Sequence, residues 1–512
     1  MDRDLIKIKE IFVKLLGKRW VSDNNRDLTF YNRDLWPREV ISSKFGVWQH
    51  KPNLILWPGT IDEVVETVKI ANQNHINLIP FGAGSGVCGA TVPSSSIPSV
   101  IIDLKRMNRI VNVDYQSLIL DVESGTLGYP LEVQLNNKGF TLGHFPSSIY
   151  CSSVGGWLAA RSAGQESSRY GKIEDMVVSL KVVTGSGEVI DTSNIISSEI
   201  GGDLNQLFVG SEGTLGIICS AELKLNYLPK FKTYSSYIFK RIDDGLMAIR
   251  DMMQEGVGGT VIRLYDELDT YIALGHRKEQ QKNQGMIQKY LSDLNGDLSE
   301  IFLKRVISFP QILNTMSQFV AQGCLMVLIH SGNENEYVKF CQIKSRQIAE
   351  KYGGEDAGEA PALRWEKHKY SISYKQPKIF YAGGFVDTME IATTWDKISD
   401  LYYEVKKVIQ DRAFLMAHFS HAYEDGCSIY FTFASRAANY NDAIKNYDFI
   451  WKNALDAVVR MGATISHHHG VGLSKIEHLK KQIGNNYELF KILKRTFDPN
   501  NIMNRGKFSG ER

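Results

Sequence analysis

The sequence predicts an α+β protein of more than one domain, and three observations predict it. Its 512 residues exceed what a single core usually spans. Up to about Leu228, short β-type runs alternate with glycine-rich loops. From there to Gly462, longer helical patterns with few strands take over. A run of three histidines, Ser466-His467-His468-His469-Gly470-Val471-Gly472, then opens a closing segment. The predicted organisation is an N-terminal helical segment over 1–50, a first domain over 51–227, a second α+β domain over 228–465, and a closing segment over 466–512 that completes the site.

The elements follow in order. Leu5, Ile8, Phe12, Leu15 and Leu16 recur at helical spacing among Lys7, Lys14, Lys18 and Arg19, so 1–20 reads as an amphipathic helix. It either docks on its own domain or lies on a membrane surface. Residues 61–74 form a helix with Thr60 as N-cap and Glu63 at the capping-box position. A strand over 75–80 leads into a glycine loop, and 100–103, 110–114 and 118–123 are short strands. Residues 131–138 form a helix closed by Gly139. The small-residue stretch 152–163 is a close-packed helix. Residues 175–184 and 188–190 form a hairpin, and 215–226 is a strand. In the second domain, helices are expected over 242–255, 279–294, 398–411 and 440–460, with strands over 325–331 and 428–433.

Bulk properties exclude several classes. A net charge of +2 and the lack of an arginine-rich run argue against nucleic acid. The six cysteines, Cys88, Cys151, Cys219, Cys324, Cys341 and Cys427, show no CxxC spacing, which fits a reducing compartment. No stretch reaches the ~18–20 apolar residues of a membrane span, and neither end reads as a secretory or peroxisomal signal. A cytoplasmic protein is expected, with membrane association through 1–20 and homodimerisation both left open.

Pro80-Phe81-Gly82-Ala83-Gly84-Ser85-Gly86-Val87-Cys88-Gly89 holds a formal Gly84-x-Gly86-x-x-Gly89 fingerprint. The context rejects a Rossmann unit, because Pro93 and Pro98 follow where a helix would have to start. Successive loop N–H groups still make an anion nest, so pyrophosphate binding is retained. Pro146-Ser147-Ser148-Ile149-Tyr150-Cys151-Ser152-Ser153 adds hydroxyls ahead of Gly155-Gly156. Glu212-Gly213-Thr214-Leu215-Gly216-Ile217-Ile218 supplies glycines for close approach to a flat ring.

These three segments, in this order, resemble the flavin domain of the vanillyl-alcohol-oxidase superfamily, and the 498–507 tail resembles its closing segment. The resemblance implies a two-part PCMH-type FAD-binding domain under a cap. Dehydrogenases of the superfamily carry a metal site on a His-x-Gly-Asp-Gly-Asn-Leu-His strand and a Glu-His-Gly turn. This chain departs at both places. Its strand reads His418-Phe419-Ser420-His421 through Gly426 to Tyr430-Phe431, and its turn reads His468-His469-Gly470. No metal is therefore expected.

Both departures resemble the alkylglycerone-phosphate synthase family, as do Val154-Gly155-Gly156-Trp157, Tyr170-Gly171, Ile262-Arg263-Leu264 and Thr394-Trp395-Asp396. That resemblance implies non-covalent FAD and no net redox. Acyl-dihydroxyacetone phosphate would exchange its fatty acid for a long-chain alcohol, giving an ether lipid precursor. It further implies Tyr430 as acid/base, His467, His468 and His469 as a required triplet, and Arg263 as a required basic residue. FAD contacts map to Pro80–Gly86, Ser147–Ser153, Ala160-Arg161-Ser162-Ala163 and Glu212–Ile218.

A phenol needs neighbours to exchange a proton near neutrality, and a histidine beside Tyr430 is expected to provide them. Arg263 has a plainer alternative, an ion pair with Asp266. Ungapped alignment on Trp395-Asp396 puts Gln376, with Lys375 and Lys378 beside it, where the family has a substrate-binding arginine. The second reading is a flavin oxidoreductase acting on a 2-hydroxy acid such as D-lactate or glycolate.

Overall fold

A computed structural model of the chain describes residues 3–94, 97–195, 202–274, 323–371, 379–380, 383–436 and 438–508. The predicted helix over 279–294 and the predicted substrate contacts Lys375, Gln376 and Lys378 lie outside the described residues. The chain divides into two compact units. One comprises Met1–Gly164, Gly171–Leu228 and His468–Arg512; the other comprises Gln165–Tyr170 and Pro229–His467.

The first unit holds two main sheets. One has the strand order Val21–Ser22, Leu54–Leu56, Ser99–Asp103, Asn77–Phe81, and its last three strands are parallel. Helix Ile61–Gln73 makes the crossover. Thr60 Oγ1 accepts the Glu63 N–H at 3.1 Å, as predicted, whereas Glu63 Oε2 reaches one residue further back, to the Gly59 N–H at 2.6 Å. Alternation splits the sheet between two cores. Leu54, Leu56, Leu78, Val100 and Ile102 pack with the helices, while Ile55, Ile79, Phe81 and Ile101 pack with Leu28 and Tyr31. The second sheet is antiparallel, in the order Ile110–Asp114, Ile119–Glu123, Gly216–Lys224, Val177–Thr184, Val189–Asp191. The predicted hairpin is its last pair.

Helix Arg3–Leu16 buries Ile8, Phe12 and Leu16 in the first core. Its apolar face is thus the docking face of its own unit. No helix among the described residues is long and apolar enough to cross a membrane.

In the second unit, helices Ile242–Gln254, Ile398–Ile409 and Tyr440–Arg460 stand where periodicity places them. The strands expected over 325–331 and 428–433 are present within Cys324–Gly332 and Gly426–Arg436, but the sheet holds more strands than expected. A seven-stranded antiparallel sheet runs Glu355–Asp356, Phe231–Phe239, Cys324–Gly332, Val261–Tyr265, Phe414–Ala422, Gly426–Arg436, Gly384–Thr394. The 418–431 stretch, read as one strand, is a hairpin whose turn is closed by Tyr423 N–H donating to the Gly426 carbonyl at 2.8 Å.

Phe12 is fully buried. Phe12→Ala is expected to lower unfolding free energy by about 3–5 kcal/mol, read by chemical denaturation.

Candidate active site

The three predicted flavin segments meet in the first unit. A Cβ on Gly82 would lie 2.3 Å from Ser153 Oγ, the atom that caps helix Val154–Ala160 at the Gly156 N–H. A Cβ on Gly213 would lie 2.8 Å from the Pro80 ring. Glu212 N–H donates to the Ala159 carbonyl at 3.0 Å. Only glycine at 82 and 213 lets the strand end, the helix start and the third segment approach this closely.

Not every predicted contact turns the same way. Leu215 and Ile217 are buried, and Ile217 belongs to the core of the unit. Tyr150 is exposed and its ring packs on Tyr129. Arg161 ends its helix in the left-handed region and binds the Val209 carbonyl and Gln206 Oε1. His144 is buried beside Trp157 with Nε2 3.2 Å from Ser162 Oγ, and burial pushes its imidazole down to about 3, so it is neutral.

The closing segment fastens the glycine loop. The carbonyls of Cys88, Ala90 and Val92 accept from Ser474 N–H at 3.1 Å, Asn504 Nδ2 at 2.9 Å and Lys507 Nζ at 2.6 Å. Glu212 fastens the turn after the triplet. Its buried carboxylate accepts the Val471 N–H at 2.6 Å and the Gly472 N–H at 2.9 Å. Burial pushes this carboxyl up, against the pull of those two N–H groups. The sequence placed Glu212 on the flavin; its carboxylate instead faces the turn. From the other side, Leu35 N–H donates to the Gly86 carbonyl at 2.9 Å, and buried Asp34 accepts the Trp36 N–H at 3.0 Å.

The second unit carries a row of functional side chains on one sheet face. Register pairs Tyr265 with His418, His418 with Tyr430, and Tyr430 with Glu390 across four adjacent strands. Directly paired residues share a face, as do residues two apart, so Arg263 joins the row. The rings of His418 and Tyr430 stack 4.8 Å apart at 16°. Arg263 Nη2 donates to His418 Nε2, so Nδ1 carries the proton and donates to Asp269 Oδ2 at 3.0 Å.

The Arg263 guanidinium lies over the Tyr265 and Trp365 rings, 5.8 and 5.6 Å from their centroids. Its Nε has no partner among the described residues. The plainer reading of Arg263 fails, because Asp266 is taken by Tyr402, Lys406 and the Ala417 N–H.

Tyr430 corrects an expectation. A parallel stack offers His418's ring face, not a ring nitrogen, so that histidine does not take the phenol proton. Burial pushes the phenol up to about 12, with the Thr388 hydrogen bond and Arg263 opposing. Tyr430 is therefore a neutral phenol at pH 7. Thr388, His418 and Glu390 were missed as site residues. His418 stands within the strand motif, but Thr388 and Glu390 join the site only through strand register.

The triplet divides between the units: His467 ends the second, and His468 begins the last piece of the first. His467 Nδ1 lies 3.3 Å from Glu390 Oε1, and its ring is flanked by His421 and Tyr423. The His468 and His469 rings meet edge-on with centroids 4.6 Å apart.

Residues 52–193 match the FAD binding domain family, and residues 228–508 match the family of FAD linked oxidases, C-terminal domain. An alkyldihydroxyacetonephosphate synthase of Dictyostelium discoideum is 30% identical over 92% of this chain and 75% of its own length. One from Trypanosoma brucei brucei is 28% identical over 93% and 75%. A solved alkyldihydroxyacetonephosphate synthase structure, 25% identical, superposes with a TM-score of 0.76, covering 98% of this chain and 85% of that one. FAD is the cofactor, and the glycine cradle described above, which a Cβ at 82 or 213 would fill, fits it.

Two outcomes are expected. Gly82→Ala drives a methyl into Ser153 Oγ. The variant should purify with at least about tenfold weaker flavin binding, read by absorbance titration, because each 1.4 kcal/mol is a factor of ten. Asp34 is pushed up to about 6 by burial from an ordinary 3.8. Between those values the unfolded chain loses the proton while the folded chain keeps it, so stability falls as pH rises through that window. Asp34→Asn should flatten that part of the Tm profile.

Proposed function

The chain belongs to the FAD-linked oxidase family that includes the alkyldihydroxyacetonephosphate synthases, and on that footing we propose that it is an FAD-dependent alkyl transferase. Its substrates are acyl-dihydroxyacetone phosphate and a long-chain alcohol. The carbon–oxygen bond to the acyl group breaks, the alcohol oxygen bonds to the freed carbon, and the fatty acid leaves with the alcohol's proton. The observation that carries this reading is the Tyr430–His418 stack. Tyr430 occupies the position of a dehydrogenase's terminal histidine ligand, and His418 is already engaged at both ring nitrogens.

FAD, when bound, supplies a ring that ends each turnover in its starting oxidation state. It is held without a covalent bond; the nearest histidine to the second flavin segment, His144, is buried against Trp157 and Ser162. Arg263, fixed by His418 and two aromatic rings, offers its Nε–H to a phosphate or carbonyl oxygen. Tyr430 enters as a neutral phenol that donates to developing negative charge, and Thr388 steadies its oxygen.

Anaerobic mixing with D-lactate or glycolate should leave the flavin spectrum unchanged. Acyl-dihydroxyacetone phosphate should release fatty acid only when a long-chain alcohol is present. Bleaching by either hydroxy acid would establish the oxidoreductase reading instead. Tyr430→Phe should keep FAD and lower turnover by about 100-fold or more, the usual scale for a positioned proton donor; unchanged turnover would remove Tyr430 from the chemistry.

A further inference from the structure

Glu390 is a fully buried carboxylate on the Gly384–Thr394 strand, at the end of the seven-stranded sheet. Chain 463–467 runs beside this strand, because Ala392 and Thr464 exchange N–H···O bonds of 3.2 and 2.8 Å. That pairing brings His467 to Glu390. Oε2 accepts the His467 main-chain N–H at 2.8 Å, and Oε1 stands 3.3 Å from the Nδ1 of the same residue. One carboxylate therefore binds the backbone of one histidine and stands at ion-pair distance from its ring nitrogen. An ionised carboxylate in this position is costly unless paired, and its pairing is directed at a triplet member.

The surroundings also hold this ring. His421 lies 5.5 Å and Tyr423 5.6 Å from it, centroid to centroid. His421 sits at a left-handed φ of 52° where the strand pairing shifts register, and its Nδ1 is 2.7 Å from Ser167 Oγ. A non-glycine residue in that conformation is strained, and such residues cluster at functional sites. In register, Glu390 also stands directly opposite Tyr430.

We propose that Glu390 is a positioning residue. It holds His467 with the proton on Nδ1, so that Nε2 is the nitrogen that exchanges a proton with the reacting hydroxyl of the substrate. The identity of that hydroxyl, a long-chain alcohol, rests on the alkyl-transfer reading; the tautomer does not. A buried carboxylate on one ring nitrogen sets the tautomer and raises the basicity of the other.

The test uses the FAD-loaded full chain labelled with ¹⁵N-histidine, with His467→Asn to assign the resonances. In the wild type, the His467 pair should show a protonated Nδ1 and an unprotonated Nε2. Glu390→Gln should abolish that preference, leave the flavin spectrum unchanged, and lower kcat by about 10–100-fold with KM within about twofold. Glu390→Asp should recover part of kcat. An unaltered His467 tautomer in Glu390→Gln, or full kcat, overturns the proposal. Activity lost to a chelator and restored by a divalent cation overturns it too, since the pair would then be a ligand set. The NMR readout needs no substrate, so it decides the role of Glu390 even if the protein transfers no alkyl group.

Discussion

The first unit depends on one buried carboxylate. Glu212 receives two backbone N–H groups from Val471 and Gly472, and its own carbonyl accepts Asn504 Nδ2 at 2.7 Å. Hydrogen bonds to a charged group contribute about 1.5–3 kcal/mol each, and removing the donors would leave a buried charge uncompensated. The two glycines after the triplet allow two close approaches, one to Glu212 and one to the Cys88 carbonyl. A Cβ on Gly470 would lie 2.2 Å from Glu212 Oε1, and one on Gly472 would lie 2.1 Å from the Cys88 carbonyl. The same closing segment binds every second carbonyl from Cys88 to Val92, so flavin loop and histidine turn are set by one piece of chain. Buried Lys494 extends the clamp to the Thr214 and Met503 carbonyls, at 2.8 and 2.6 Å.

Much of this unit was legible in the sequence, because its signals are local. Glycine clusters, an N-cap at Thr60 and proline stops mark loops without knowledge of the fold. Rejection of a Rossmann unit rested on Pro93 and Pro98, and the sheet beside the loop is mixed, with one antiparallel and two parallel pairings. The role of Glu212 was not legible. Its partners lie more than 250 positions away in the chain, and no spacing rule connects them.

The second unit was harder to read for a physical reason. Strands such as Val261–Tyr265 and Gly384–Thr394 are buried on both faces over most of their length, so they lack the period-two alternation that identifies a half-buried strand. Helices Ile242–Gln254, Ile398–Ile409 and Tyr440–Arg460 kept one exposed face and were read correctly, whereas Asn335–Lys351 was not foreseen. Tyr430 and Arg263 were reached through motif resemblance, whereas Thr388 and Glu390 needed the register that sets four strands side by side. That register also changes the chemistry expected of Tyr430. The histidine against it presents a ring face, and the phenol stays protonated.

The chemistry proposed for this flavin site is alkyl transfer without net oxidation. Turnover with ¹⁸O-labelled long-chain alcohol tests it most directly. The predicted result is the label retained in the ether product and absent from the released fatty acid, with no oxygen consumed. Conversion of the alcohol to aldehyde with matching oxygen uptake would contradict it.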